Sequence, residues 1–295
     1  MTRSADVVRS SGPLTHAMTV DVEDYFQVAA LEGQYPRSRW DTVDLRVERG
    51  VDRCLERMAD KGVTGTFFTL AWVAERCPEM IRRIVDAGHE LASHGYDHTR
   101  LHMMEEAAII EDLRKSKAIL EEVGGVRVTG YRAPTFSINR SNQGVYRHVR
   151  DAGYLYSSSI YPIPHDLYGI PDAPRWPYEP IEGLTEVPVT TLRFRGRNYP
   201  CAGGGWFRLL PYPAYRQLLK HFERSERRPA MFYTHPWEFD PEQPRPDGVP
   251  LKSRVRHYLN LDRTEPRLAR LLADFSWGRM DEVFGVGACA AVKAA

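Results

Sequence analysis

Three carboxylates fall within four residues of the stretch TVDVEDYF, residues 19–26: Asp21, Glu23 and Asp24. Neighbouring carboxylates repel, and a half-buried one is unfavourable unless a cation compensates it. On an extended strand Asp21 and Glu23 project to one side, Val22 and Asp24 to the other. Asp24 rejoins the first pair only if the strand ends near residue 23. Further on, SHGYDH sets His94 and His98 four residues apart, just after His89 and Glu90. One helical turn would bring both imidazoles to one side, a spacing suited to a borderline metal such as zinc. The plainer alternatives are solvated acids at a strand end and an incidental histidine pair.

Two more stretches carry a chemically loaded residue at the end of an apolar run. GYRAPTF, residues 130–136, ends its run on Arg132. A buried, unpaired guanidinium is strongly disfavoured, so Arg132 either snorkels to the surface or finds a carboxylate, for which Asp21 is a candidate. Pro134 stiffens the chain before Thr135, leaving that residue's backbone N–H free to point into a pocket. MFYTHPWEF, residues 231–239, ends its run on His235, which is either a reactive group or a hydrogen-bonded core histidine.

Such residues converge only if strands carry them to one rim. HAMTVDV, TGTFFTL, HELASH, VRVTGYRAP, YLYSSSI, TEVPVTTLRF and RPAMFYTHP all read as strands. Amphipathic helices alternate with them: Leu45 to Lys61, PEMIRRIVDAG, EEAAIIEDLRKSKAILEEVGG, PYPAYRQLLKHFE and EPRLARLLADF. Repeated strand–helix units predict a parallel sheet with helices outside, whose chemistry lies at the strands' C-terminal ends. Two proline-rich loops, residues 161–183 and 236–250, interrupt the rhythm and carry aromatic residues.

Composition sets outer bounds. With 40 Lys plus Arg against 39 Asp plus Glu in 295 residues, nothing points to nucleic acid or an anionic surface as the overall partner. No apolar run approaches a membrane span, and the N-terminus lacks a signal-type apolar core, which predicts a cytoplasmic protein. Cys54, Cys77, Cys201 and Cys289 are scattered, as expected for reduced thiols rather than a cysteine metal site.

In order and approximate spacing from Thr19 to Trp237, the four stretches resemble the polysaccharide deacetylase family (NodB-type, carbohydrate esterase family four). That family has an Asp-Asp motif on its first strand, then HSxxH, RxPY, a Trp-bearing motif and LxH on a late strand. DVEDYF and HPWEF, with RHYLNL and LLADF between Arg254 and Phe275, are similar to the branch associated with exosortase and exopolysaccharide loci. The resemblance implies a distorted (β/α)7-type barrel with a C-terminal helical extension. It divides the chain into a flexible tail (1–16), a single catalytic domain (17–284, its branch-specific part from about 240) and a C-terminal tail (285–295).

Carried over by position, the resemblance makes Asp21 the general base, Arg132 its orienting partner, His235 the general acid and Thr135 the donor of a backbone N–H. His94 and His98 become ligands of a divalent metal, most simply Zn2+. The family's third ligand directly follows the base, where this chain has Val22, so Glu23 or Asp24 must serve, and the shared strand face favours Glu23. Thr135 replaces a family Tyr. No Trp stands in YLYSSSIYP to pack the acid, leaving Trp206 or Trp237 for that task. Trp206, Trp237 and Tyr161, with Tyr168 and Trp176, are candidates for stacking on sugar faces, or else core residues. The implied activity is removal of N-acetyl groups from an N-acetylglucosamine-type polysaccharide or its precursor. The alternatives are a related amide hydrolase on a small ureide or cyclic imide, a sugar O-deacetylase, and an inactive sugar-binding module.

Overall fold

The computed structural model describes residues 12–287; Cys289 and most of both expected tails lie outside the described residues. Strand β1 (Thr15–Val22) is buried along nearly its whole length. Ala17 joins an inner cluster with Phe68, Ala92, Met231 and Tyr233, while Met18, Val20 and Val22 join an outer cluster under the helices. The two-residue period of a strand produces this split, and burial on both faces belongs to a parallel sheet covered by helices.

The remaining strands are β2 (Thr66–Thr69), β3 (Glu90–Ser93), β4 (Gly130–Tyr131), β5 (Tyr156–Ser157), β6 (Tyr178–Ile181), β7 (Leu184–Glu186), β8 (Thr191–Phe194), β9 (Arg197–Pro200), β10 (Met231–Thr234) and β11 (Ser276–Gly278). The main sheet runs β10-β1-β2-β3-β4-β5-β7-β6, parallel except for the β6–β7 pair. β11 extends it below β2: Ala17 pairs with Met231 on one side and Gly278 on the other. Seven parallel strands wrapped by helices form the distorted barrel. Among the described residues no ladder joins β7 to β10, so the barrel is open at that seam. Other bonds span it: Met231 N donates to Thr190 Oγ1 (2.7 Å) and Tyr233 N to Ala202 O (2.9 Å).

Helices α1 (Val47–Ala59), α2 (Ala71–Arg76), α3 (Pro78–Asp86), α4 (Glu106–Gly124) and α5 (Val145–Asp151) cover the first five strands. α1 buries Val47, Val51, Cys54 and Met58, an apolar stripe at helical spacing. α4 buries Ile109, Leu113, Ser116 and Leu120 and is capped by Gly125 at φ 65°. α6 (Gly204–Leu209), α7 (Tyr212–Glu226), α8 (Leu251–Tyr258), α9 (Thr264–Asp274) and α10 (Met280–Phe284) complete the chain. TEVPVTTLRF is broken into β7 and β8 around Pro188, which has no N–H for a ladder. β8 instead pairs with β9 in a separate two-stranded sheet.

Candidate active site

All four chemically loaded stretches meet at the C-terminal rim of the sheet, after β1, β3, β4 and β10. Asp21 shares the inner face of β1 with Ala17 and Thr19 and is buried. Its Oδ1 accepts a charge-assisted hydrogen bond from Arg132 Nη1, which also donates to Thr19 Oγ1 at 3.0 Å. Arg132 is completely buried. Its remaining donors reach Ser158 O and Ser158 Oγ, each at 3.2 Å, and its guanidinium lies 3.9 Å from the centre of the Phe68 ring. A buried guanidinium is tolerated only when its donors are satisfied, and here each of its three nitrogens has an acceptor.

Glu23, His94 and His98 come together as a group whose ligand atoms lie within 4.8 Å of one another. His94 follows β3, and its Nδ1–H donates to Arg132 O at 2.8 Å, leaving Nε2 with a free lone pair. His98 reaches the group without a helical turn: Gly95 (φ 79°) and His98 itself (φ 61°) bend the loop back through left-handed conformations. Asp112 of α4 fixes that bend by accepting from Tyr96 N at 3.0 Å. Burial pushes the Asp112 carboxyl up to about 7 and the His94 imidazole down to about 4. Burial would also raise Glu23, but His98, then His235 and His94, hold it far below the usual carboxylate range.

Asp24 is not part of this group. Its Oδ1 accepts from Tyr25 N (2.8 Å) and its Oδ2 from Arg46 N (2.6 Å) and Val47 N (2.9 Å). The carboxylate therefore caps two helix starts and points away from the histidines. Burial holds it at about 6 despite these donors.

Across from the histidine pair, His235 Nε2 lies 3.6 Å from Glu23 Oε1 and 3.9 Å from Asp21 Oδ2. Its Nδ1–H donates to Glu238 Oε1 at 2.7 Å. Burial alone would lower the imidazole, but Glu238, then Glu23, raises it to about 9. Glu238 is fully buried and accepts from Arg208 Nε at 2.7 Å, so burial is offset by Arg208 and then His235, which hold its carboxyl low. Arg208 in turn donates to the carbonyls of Arg256, His257 and Leu259 at 2.9–3.0 Å, gripping the C-terminal turn of α8. Nothing in the types of Glu238 and Arg208 marks them in the sequence; the only signal is an acid three residues after a strand-end histidine. Ser158 and Ser159, which holds Ala133 N at 2.9 Å, were likewise legible only as part of a strand.

Thr135 and Phe136 are consecutive left-handed residues, with φ of 54° and 48°. A β-branched residue there stores roughly 1–2 kcal/mol of strain. Phe136 N and Ser137 N donate to Ala133 O and Pro134 O, and among the described residues the Thr135 N–H makes no such bond. Thr135 and His98 border a cleft whose walls include Phe26, Tyr35, Trp40 and Met103.

The aromatic candidates divide. Trp237 is not a free platform: one face covers His235 (5.1 Å between ring centres, 18°) and the other His257 (4.2 Å, 15°). Its Nε1–H donates to Glu23 Oε1 at 3.2 Å, so it covers His235 and braces the Glu23 carboxylate. Tyr161 is buried in the inner cluster, stacked on Tyr168, and offers no face to a sugar. Trp176 packs on Phe222. Trp206, on α6, is the expected sugar-stacking residue that keeps its ring 42% exposed.

A seven-stranded parallel barrel thus gathers two histidines and a glutamate, a buried Asp–Arg pair and a His–Glu pair at the C-terminal rim, where such folds place their chemistry. Residues 36–156 match the polysaccharide deacetylase family model, and residues 158–285 match a domain of unknown function (DUF3473) that contains the Arg254–Phe275 segment. Residues 36–156 thus match the polysaccharide deacetylase family, and the second domain follows them directly. It is 31% identical over 114 residues to a peptidoglycan deacetylase of Helicobacter pylori, 38% of either chain. It is 28% identical over 110 residues to a peptidoglycan-N-acetylglucosamine deacetylase of Bacillus cereus, 36% of this chain and 39% of that one. It thus matches less than half the length of these curated relatives. Among solved structures, one from Mycobacterium smegmatis assigned to the polysaccharide deacetylases aligns over 97% of this chain and 94% of its own, with a TM-score of 0.63 and 24% identity. An allantoinase aligns over 92% and 89%, with a TM-score of 0.57 and 18% identity. These two likenesses concern the fold.

Proposed function

We propose that this chain is a divalent-metal-dependent hydrolase that removes N-acetyl groups from a polysaccharide of the N-acetylglucosamine type or from its precursor. The carrying observation is the grouping of Glu23, His94 and His98 between Asp21, braced by Arg132, and His235, braced by Glu238. The curated relatives named for peptidoglycan deacetylation support an N-acetylated glycan.

The donor set fits a divalent ion. Glu23 Oε2 is buried and makes no hydrogen bond of proper geometry, although His98 Nε2 is only 2.8 Å away. Two lone pairs that close, without a hydrogen bond between them, suit a shared cation better than each other. Two imidazoles with one carboxylate favour zinc, held by Glu23 Oε2 and both histidines. When bound, such an ion would polarise the acetamide carbonyl and lower the pKa of an attacking water from 15.7 toward about 7.

The protein's own groups carry the proton transfers. Arg132 holds Asp21 by Oδ1 and leaves Oδ2 to take the proton of the attacking water. The Thr135 N–H donates to the carbonyl oxygen as negative charge builds there; one such donor is worth about 10²- to 10³-fold. His235 passes its Nε2 proton to the amine as the carbon–nitrogen bond breaks, giving acetate and a free amino sugar. The deciding experiment strips and restores zinc and follows acetate release from N-acetylglucosamine oligomers, with Asp21→Asn alongside. Release that survives chelation, or an Asp21→Asn variant as active as the parent, would end this reading.

A further inference from the structure

The β8–β9 hairpin is the part of the fold that the site does not use. It stands apart from the main sheet as its own two-stranded ribbon. Its register pairs Leu192 with Tyr199 and Phe194 with Arg197, so these four side chains share one face. Phe194 is 57% exposed and Tyr199 45%. On the opposite face Asn198 Nδ2 donates to the protein body at Pro171 O (3.2 Å), while its pair partner Arg193 stays exposed. The ribbon therefore turns an apolar face outward.

Its charge is one-sided. Arg193, Arg195 and Arg197 lie within five residues, and no Asp or Glu occurs between Glu186 and Glu223. Other exposed arginines, Arg82 and Arg140 among them, sit within salt-bridge distance of carboxylates. Among the described residues none of the three hairpin arginines has such a partner, and Arg195 instead lies 5.4 Å from the Phe194 ring centre. The turn itself places Arg195 (φ 48°) and Gly196 (φ 78°) in left-handed conformations. Asn or Gly would fill the first of these positions with less strain. The arrangement holds a long cation at the tip against local preference.

We propose that this hairpin docks the protein on an anionic lipid bilayer, with Phe194 entering the interface and the three arginines meeting headgroup phosphates. Charge complementarity selects that occupant: exposed Phe194 and Tyr199 flanked by unpaired arginines match an interfacial anchor. No helix among the described residues is long and apolar enough to cross a membrane, so the contact is peripheral. The proposal does not depend on the chemistry assigned to the site.

Co-sedimentation of the full chain with vesicles tests it, using phosphatidylcholine alone and a three-to-one mixture with phosphatidylglycerol. Binding is expected only with phosphatidylglycerol, weakening as salt rises. The triple change Arg193→Gln, Arg195→Gln, Arg197→Gln is expected to reduce partitioning by about a hundredfold, from three cations near the surface. Phe194→Ser is expected to reduce it without altering the salt dependence. Both variants alter exposed positions, and circular dichroism with unchanged acetate release checks their folding. Equal binding by parent and variants, equal binding to pure phosphatidylcholine, hairpin-dependent self-association, or equally tight hairpin-dependent binding of a soluble acidic glycan would each overturn the proposal.

Discussion

His235 Nδ1 and Glu238 Oε1 stand 2.7 Å apart, and this contact sets the charge of the imidazole. Burial by itself would lower that imidazole, and Glu238, as the largest opposing influence, raises it to about 9. A general acid works in its protonated form, below its pKa. Removing the carboxylate in Glu238→Gln is therefore expected to bring the alkaline limb of kcat/KM down from near 9 to around or below the ordinary 6.5. A pH–rate profile read against the parent checks it, and an unmoved alkaline limb would show that Glu238 does not govern the acid.

Glu23 and Asp24 are adjacent in sequence and differ in task. Glu23→Gln is expected to weaken zinc binding by at least the roughly 10- to 100-fold that loss of an outer-shell partner produces. Asp24→Ala is expected to leave zinc affinity unchanged and to lower stability by about 0.5–2 kcal/mol, because three backbone N–H groups lose their cap. Calorimetric zinc titration and urea unfolding separate the two. The reverse pattern would move the metal to Asp24.

Arg132 and Asp21 form a fully buried pair. Arg132→Met leaves Asp21 without its cation and is expected to destabilise the fold by about 3–5 kcal/mol. Combining it with Asp21→Leu removes both charges and is expected to recover much of that loss. Urea midpoints of the two variants give the answer, and a double variant less stable than Arg132→Met would refute an electrostatic origin.

His257 links stability to acid. Burial, then the Arg208 charge, holds its imidazole at about 3, well below an unfolded value near 6.5. Between those values the unfolded chain binds a proton that the folded chain does not. Its contribution is therefore fully present above pH 6.5 and is lost as pH falls toward 3, roughly 3–5 kcal/mol over that window. His257→Phe keeps a ring on Trp237 while removing the titration. A flatter fall of stability with acid is expected in thermal melts taken from pH 7 to 4, and an unchanged slope would exclude His257 as a source.

Much of this site could be read from residue types and strand period. Asp21 and Glu23 share a face because strand side chains alternate, and Arg132 needs a carboxylate because a buried guanidinium tolerates nothing less. The path by which His98 rejoins His94 could not be read, because spacing gives no hint of left-handed turns at Gly95 and His98. Glu238 was hidden for a different reason. Its burial and its pairing with Arg208 depend on how α6 and α8 pack, elements that lie well before and well after it in the sequence. Trp237 and Tyr161 illustrate the same limit: an aromatic in a proline-rich loop becomes a sugar platform or a wall according to tertiary packing alone. Seven parallel strands followed from alternating elements, whereas the open seam beside β10 and the separate β8–β9 ribbon did not.

The grip of Arg208 on the last turn of α8 has one more consequence. Asp21 and Glu23 precede both matched segments, His94, His98 and Arg132 fall in the first, and His235 with its supporting Glu238, Arg208 and α8 falls in the second. The two segments are thus not interchangeable cassettes. A chimera with a foreign second half would keep Glu23, His94 and His98 but bring its own counterparts of His235, Glu238 and Arg208, which would have to meet Asp21 and Glu23 across the junction as His235 does here at 3.6–3.9 Å.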